Sequence, residues 1–328
     1  MKYRYFLIIL LSFITVLSAH EKNEWQIQQF DIYFENDLFA QTDGQYSSGE
    51  KFSLLYYVPQ SDFFVYDLFL GDQPSDKYIN FSLVNQIYTP NDISVKDLIA
   101  DQRPYAGWTF FETGFHKSTK ETLQSIYLQV GMVGPLSQSE DIQKFIHKVT
   151  GSEAPQGWEN QLKNELGVNL RYVYNWRIVH NFESVESAII PYAEGDFGNI
   201  SIGATGGITA RIGWNIPKDF GMSTINTGSE TGISIYNQHQ NRLNKKWSFA
   251  FNFNISGSAV VRDIFLDGNT FVESHSVDKR YFIASGGLGF TSRYKRYSLD
   301  YYYQKQTKRY DSEKLKHGYG SVILSLAF

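Results

Sequence analysis

Period-two alternation of apolar with polar or small residues dominates this chain. Leu166, Val168, Leu170, Tyr172, Tyr174 and Trp176 alternate with Gly167, Asn169, Arg171, Val173, Asn175 and Arg177. Trp247, Phe249, Phe251, Phe253 and Ile255 alternate with Ser248, Ala250, Asn252, Asn254 and Ser256, and Ile126, Leu128, Val130 and Met132 with Tyr127, Gln129, Gly131 and Val133. Each run predicts a β-strand with one greasy face and one polar or small face. The runs are roughly 9–12 residues long, enough for a tilted strand to cross a bilayer and longer than most globular strands. Tyrosine and tryptophan at their tips suit an interfacial belt. About twelve such segments can be counted, an even number as a closed bacterial barrel requires. They start near Ile27, Gly49, Ile79, Gly107, Gln124, Glu165, Ala188, Gly203, Lys246, Arg280, Tyr297 and Gly318. The expected architecture is all-β, a single antiparallel transmembrane barrel; a soluble sandwich, with shorter strands around a dry core, is the alternative.

One segment breaks the alternation. Residues 137–151 read as a helix, placed near 138–149. Ser137 or Ser139 can cap it, Glu140 and Asp141 sit in its first turn, and Gly151 ends it. Ile142, Phe145, Ile146 and Val149 recur at helical spacing and form an apolar stripe, with Gln143 and His147 sharing a face beside it. A helix between two barrel strands must lie in a loop, and the expected fold has it as a short extracellular-loop helix. The stripe is expected to pack on something and to turn Gln143 and His147 elsewhere.

Composition sharpens this picture. Phe6 to Val16 is almost unbroken apolar behind the basic Lys2 and Arg4, with Ala19 before a polar stretch. That pattern predicts a secretory signal peptide over residues 1–19 and an exported barrel over 20–328; an N-terminal membrane anchor is the alternative. The formal charge of −4 is mildly acidic and offers no basic footprint for nucleic acid. With no cysteine, disulfides, thiolate zinc sites and cysteine nucleophiles are excluded. Aromatics make up 16% of a chain whose mean hydropathy is only −0.33, as expected for sheets with one apolar and one polar face ringed by aromatic girdles. The terminal Val322, Leu324, Leu326 and Phe328 resemble the C-terminal signal read by barrel assembly machinery.

Chemistry concentrates around 34–49, where Glu35, Asn36, Asp37 and Asp43 set oxygen donors at a strand end and its loop. Such a place can aim ligands at a hard cation, or it is an ordinary acidic hairpin loop. His147 is a candidate general base, or a surface histidine on an amphipathic helix. Glu153 can orient that imidazole, help to hold a cation, or be a solvated loop acid. Arg103 can bind a phosphate or carboxylate, or anchor an interface. Histidines such as His116, His180, His239 and His275 read as solvated. Neither Gly-x-Ser-x-Gly nor His-Glu-x-x-His occurs. An asparagine–aspartate pair with a lone histidine suggests hydrolysis in which a cation polarises an ester carbonyl while the histidine activates water.

Several blocks carry a family resemblance: Glu35-Asn36-Asp37, Thr42-Asp43, Tyr46-Ser47-Ser48-Gly49, the stretch from Tyr88 to Ile93, and that from Arg103 to Trp108. His147 with Gly151 and Glu153, Gly157 to Leu162, and Phe265 to Asn269 continue it in order through the chain. Together they resemble the lipid A 3-O-deacylase family of outer-membrane proteins. The resemblance implies a twelve-stranded barrel with a calcium-dependent site near the outer rim, releasing the ester-linked 3-position acyl or acyloxyacyl chain from lipid A of lipopolysaccharide. It implies His147 as the base, Asn36 and Asp37 in the active site with Asp37 a Ca2+ ligand, Gln143 and Glu153 in support, and Arg103 toward the sugar–phosphate head group. Ser47 and Ser48 are candidates for the oxyanion side. They stand where the family more often has Thr-Asn, and Gln102 also departs from its pattern, which touches substrate preference. The expected setting is the outer membrane of a Gram-negative bacterium, with lipopolysaccharide and the assembly machinery as partners and a monomeric chain. A phospholipase and a non-enzymatic, porin-like barrel are the alternatives.

Overall fold

The structure, a computed structural model, describes residues 25–40, 44–59, 61–182, 185–216, 219–221, 223–225, 247–314 and 317–328. The expected leader and Asp43 lie outside the described residues. Thirteen strands form one sheet: β1 Gln26–Asn36, β2 Gln45–Tyr57, β3 Asp76–Thr89, β4 Ala106–Ser118, β5 Thr122–Val133, β6 Glu165–Trp176, β7 Ile178–Phe182, β8 Val185–Gly198, β9 Ser201–Trp214, β10 Trp247–Asp263, β11 Phe282–Tyr294, β12 Tyr297–Gln306 and β13 Gly318–Ala327. Neighbours in sequence pair antiparallel, β1 pairs β13, and β6 pairs β8. The ring therefore closes without β7, a five-residue hairpin arm on β8. The wall is a closed twelve-stranded antiparallel barrel, as the alternation predicts, and the extra strand lies outside the ring.

Burial is inverted relative to a soluble protein. On β10 the apolar residues Trp247, Phe249, Phe251, Phe253 and Ile255 are exposed, while Ala250, Asn252 and Asn254 between them are buried. On β6, Leu166, Val168 and Leu170 are exposed and Asn169 is buried; on β13, Leu324 is exposed between buried Ile323 and Ser325. Turning such strands the other way would put Asn252 and Asn254 in hydrocarbon, at several kcal/mol per unsatisfied group (roughly). No described helix is long and apolar enough to cross a membrane; the crossing is made by strands.

The interior is polar and knit by charge. Lys51 pairs with Glu112 at 2.9 Å, and Gln129 Nε2 donates to Glu112 at 2.7 Å. Arg171 meets Asp196 at 2.9 Å and Glu194 at 3.5 Å, and Arg293 meets Asp219 at 2.7 Å. His116, expected to be solvated, is fully buried between Ser125 Oγ and Asn80 Oδ1, each at 2.8 Å. Alternation places it on the inner face, where a neutral ring with two fixed partners is stable.

The interrupting helix, α1, spans Ser139–Thr150 and ends at Gly151 in the left-handed conformation (φ 74°), its N–H bonded to His147 O. Its N-cap is Gln138 (φ 58°), following a 3-10 turn over Pro135–Ser137, so Ser139 is the first helical residue rather than the cap; Ser137 Oγ accepts the Ser139 N–H at 3.3 Å. The apolar stripe does not pack as a whole. Ile142 packs against Ile87, Ile93, Tyr105 and Trp158, whereas Phe145 and Val149 are 58% and 69% exposed. Gln143, expected to turn away, is buried instead. A helix lying on the outside of a lipid-facing wall needs an apolar outer surface, which explains the exchange.

Replacing Phe253 by arginine puts a charge in the apolar band. We expect a loss of about 2–4 kcal/mol, read by denaturant unfolding of protein refolded into phospholipid vesicles; Asn252→Arg, on the inner face, would instead perturb interior packing.

Candidate functional site on the outer wall

Sheet register assembles the site. At the α1 end of the barrel, one row runs around the outer face through directly paired residues: Gly320 of β13, Asn36 of β1, Ser48 of β2, Ile87 of β3 and Gly107 of β4. Side chains alternate across a strand, so the row lies opposite the inward-facing Tyr46 and Tyr88, which are paired with each other. The two glycines at its ends are where other parts of the chain lie on the wall. A Cβ on Gly107 would fall 2.2 Å from Ser139 Oγ, and one on Gly320 would fall 2.4 Å from Phe39 Cβ. Between these overlays lie Asn36 and Ser48, both buried. With strands spaced about 4.8 Å apart, the four steps from Gly320 to Gly107 span roughly 19 Å.

One lip is the 3-10 turn Asp37–Ala40 that follows β1. Asn36 Oδ1 accepts the Leu38 N–H at 2.8 Å, and Asp37 Oδ2 accepts the Gly44 N–H at 2.7 Å, closing the loop that carries both residues. Beyond it, Gln45 is held in the left-handed region (φ 77°), its Nε2 donating to Asn91 Oδ1 and Tyr310 Oη at 2.8 Å. Ser47 sits at a bulge between β2 and β3, its hydroxyl on Thr89 Oγ1 at 2.5 Å. Glu50, which sequence reasoning did not single out, shares the outer face with Ser48, and both its carboxylate oxygens, like the Ser48 hydroxyl, are buried without a hydrogen-bond partner among the described residues. Its partners across the sheet are Phe34 and Asn85. An acid two residues beyond a strand-end serine has the spacing that could have revealed it.

The other lip is α1. Asn85 Nδ2 donates to Ser139 Oγ at 2.6 Å and Thr109 Oγ1 donates to Ser137 O at 2.7 Å, pinning the helix start to the wall. Gln143 Oε1 accepts the Trp158 Nε1–H at 2.8 Å, and Trp158 packs on Ile87, the row neighbour of Ser48. One turn on, His147 Nδ1 meets the backbone carbonyl of Glu153 at 2.5 Å. A carbonyl only accepts, so Nδ1 is the donor, and in the neutral ring Nε2 is the free acceptor. The Glu153 carboxylate, expected to orient the ring, is exposed; the backbone of the same residue does that work. His147 lines a pocket of about 530 Å³ with Lys96, Lys144, Lys148, Gln156, Trp158 and the acids Glu140 and Glu159, which pair with Lys144 and Lys96.

Arg103 is not on this face. It is 2% exposed, with its Cζ 4.8 Å from the Tyr88 ring, on which Phe265 also stacks at 4.1 Å. It belongs to a cap over the inner aromatic cluster, where Arg309 pairs with Asp263 at 2.9 Å. Burial pulls the Arg103 guanidinium below its usual pKa, only partly offset by Asp263. Burial, with Arg103 and Arg309 nearby, pushes His317 down to about 3, so that ring is neutral. The structure places Arg103, expected to reach toward a head group, in this cap against Tyr88 rather than in the outer-wall row.

Residues 6–328 match the family described as outer membrane protein LpxR. This chain belongs to that family. LpxR from Salmonella typhimurium has the same fold, with a TM-score of 0.74 at 16% identity, covering 92% of this chain and 100% of that one. The β domain of the Bordetella autotransporter BrkA aligns with 92% of this chain and 98% of its own at 6% identity, with a TM-score of only 0.42. The translocator domain of the autotransporter NalP from Neisseria meningitidis covers 100% and 96% at 7% identity and 0.39. No curated protein matches in sequence. The protein is an outer-membrane β-barrel, the localisation that the inverted faces call for.

Gly107→Val tests how the lip is held. We expect α1 to lift from β4 while the barrel persists, read as trypsin cleavage at Lys144 and Lys148 with unchanged heat-modifiable gel mobility; an equally protected helix would contradict the docking.

Proposed function

We propose that the outer-wall site hydrolyses an ester of lipid A, releasing the 3-position acyl or acyloxyacyl chain, with His147 as general base. The observation that carries the reading is the His147 tautomer. An imidazole whose Nδ1 proton is committed to a backbone carbonyl offers Nε2 as the proton acceptor on a helix laid against a lipid-facing wall. Family membership points to the same substrate class.

In this reading a lipid of the outer leaflet arrives laterally, its acyl chains against exposed Leu38, Phe39 and Phe145 and its head group toward Lys96, Lys144 and Lys148. His147 Nε2 takes a proton from water as the water oxygen bonds to the ester carbonyl carbon. The tetrahedral intermediate expels the sugar 3-oxygen, which recovers the proton from His147, leaving a free fatty acid and a 3-hydroxyl. Ser48, in the row beside Asn36, is the better placed of the two serines to donate toward the developing oxyanion, since Ser47 is committed to Thr89.

The donors fit Ca2+ in kind. Asn36, Asp37 and Glu50 present oxygens at one strand end, the ligands a hard cation prefers. Among the described residues no cluster of three or more His, Asp or Glu is arranged around one point, so amide, hydroxyl or backbone oxygens would complete the shell. When bound, the ion would polarise the ester carbonyl and stabilise negative charge on its oxygen.

The porin-like alternative finds no support in the interior, where ion pairs and buried Phe220 and Ile225 occupy the lumen. A phospholipase differs only in the lipid seated. Purified protein given lipid A and phospholipid separately should deacylate lipid A with calcium and not with chelator. His147→Ala should slow the reaction by at least about a hundredfold. Mass spectrometry showing release only from phospholipid would replace the substrate, and full activity in His147→Ala would remove the mechanism.

A further inference from the structure

The connection between β9 and β10 leaves the barrel at the end opposite α1, yet part of it is found deep inside. Trp214 and Phe249 are paired at that far end. Asp219 is buried and meets Arg293 at 2.7 Å as well as Arg211, both on the inner face. Phe220 packs with Leu55, Tyr78 and Leu123, near the far ends of their strands. Ile225, by contrast, joins the inner aromatic cluster of Tyr46 and Tyr319 at the α1 end. The five residue steps from Phe220 to Ile225 can reach roughly 17 Å when extended, close to the length of β2 between Leu55 and Gly49. The two described pieces, 219–221 and 223–225, therefore lie at successive heights in the lumen.

The end of the second piece arrives directly behind Asn36 and Ser48. Ile225 N–H donates to Glu35 Oε1 at 2.8 Å, and Glu35 Oε2 accepts from Tyr46 Oη at 2.7 Å. Glu35 faces inward at the position before Asn36, which faces outward in the row. On the next strand, a Cβ on Gly49 would lie 3.2 Å from Ile225 Cδ1, and Gly49 follows Ser48. One polar and one apolar contact thus stand behind both residues.

We infer that Asp219–Gly221 and Ser223–Ile225 form a lumenal strut that positions Asn36, Asp37 and Ser48 from the inside, so that a connection on the far side of the membrane sets the geometry of the outer site. Asp219 anchors the foot through two arginines, Phe220 wedges the base, and Ile225 holds the head. The role assigned to Asn36, Asp37 and Ser48 rests on the deacylase reading; the strut rests on contacts independent of it. Strand-end loops have few partners of their own, and small displacements of reacting groups are costly, so a contact behind the strand end acts on turnover more than on lipid capture.

Two full-length variants test this. Ile225→Pro removes the N–H and the apolar tip, and replacement of residues 219–225 by a glycine–serine segment of equal length removes the whole strut. Heat-modifiable gel mobility establishes that each barrel has closed. We expect both to lower kcat about tenfold or more with little change in KM, and to speed amide hydrogen exchange over residues 36–40 and 44–48. The glycine–serine variant alone should give steady ion conductance in planar bilayers. Unchanged exchange in both variants, or a lumen that stays closed after replacement, would overturn the strut. Faster exchange with unchanged kcat would overturn its positioning role. If the unaltered protein turns over no lipid A, the deacylase reading falls, and exchange and conductance still decide the strut.

Discussion

Every backbone group in the hydrocarbon layer must find its partner within the sheet, and the rest of this structure depends on that constraint. It forces the β6–β8 and β1–β13 pairings that close the ring and leaves β7 as an appendage outside it. Closure also fixes register, and register fixes which residues meet on which face. The row from Gly320 to Gly107 exists because the strands are locked together, not because any loop gathers those residues. A one-residue slip of β1 would exchange Asn36 for Glu35 on the outer face.

The two faces of the wall divide the work. The inner face spends its charges on one another, Lys51 with Glu112 and Arg293 with Asp219, and replacing one partner would strand a buried charge. The outer face is mostly apolar, and near the α1 end Asn36, Ser48, Glu50 and Asn85 interrupt it. Polar groups on a lipid-facing wall are costly unless covered or used. Asn85 is covered by Ser139; Asn36 and Ser48 lie between the overlays.

Much of the barrel was legible because period two is a strong signal when the faces differ sharply. Leu166 to Trp176 and Trp247 to Ile255 are strands where the alternation places them, and the terminal segment is β13. The helix was legible from its caps and spacing, but the direction of its stripe was not. Amphipathicity says that Phe145 and Val149 share a surface, not whether that surface meets protein or lipid. The candidate site was legible as a set of residues through family likeness, while its geometry was not. That Asn36 lies beside Ser48 follows from register, that His147 is oriented by the Glu153 carbonyl follows from a backbone turn, and that Arg103 is buried follows from the cap. His116 reads as solvated only when the inner face of a strand is mistaken for water. Glu50 and the strut tip at Ile225 left no motif, since one is set by pairing and the other by a loop entering the lumen.

The central claim is that the working surface is the outer wall between Phe39 and α1. Site-specific photocrosslinking in vesicles containing lipid A tests it most directly, with a photoreactive residue in place of Phe39 or Phe145 and, for comparison, in place of Asn252 on the inner face. The account predicts adducts with lipid A from both outer positions and none from the inner one. Lipid A captured from position 252, or phospholipid alone from 39 and 145, would contradict it.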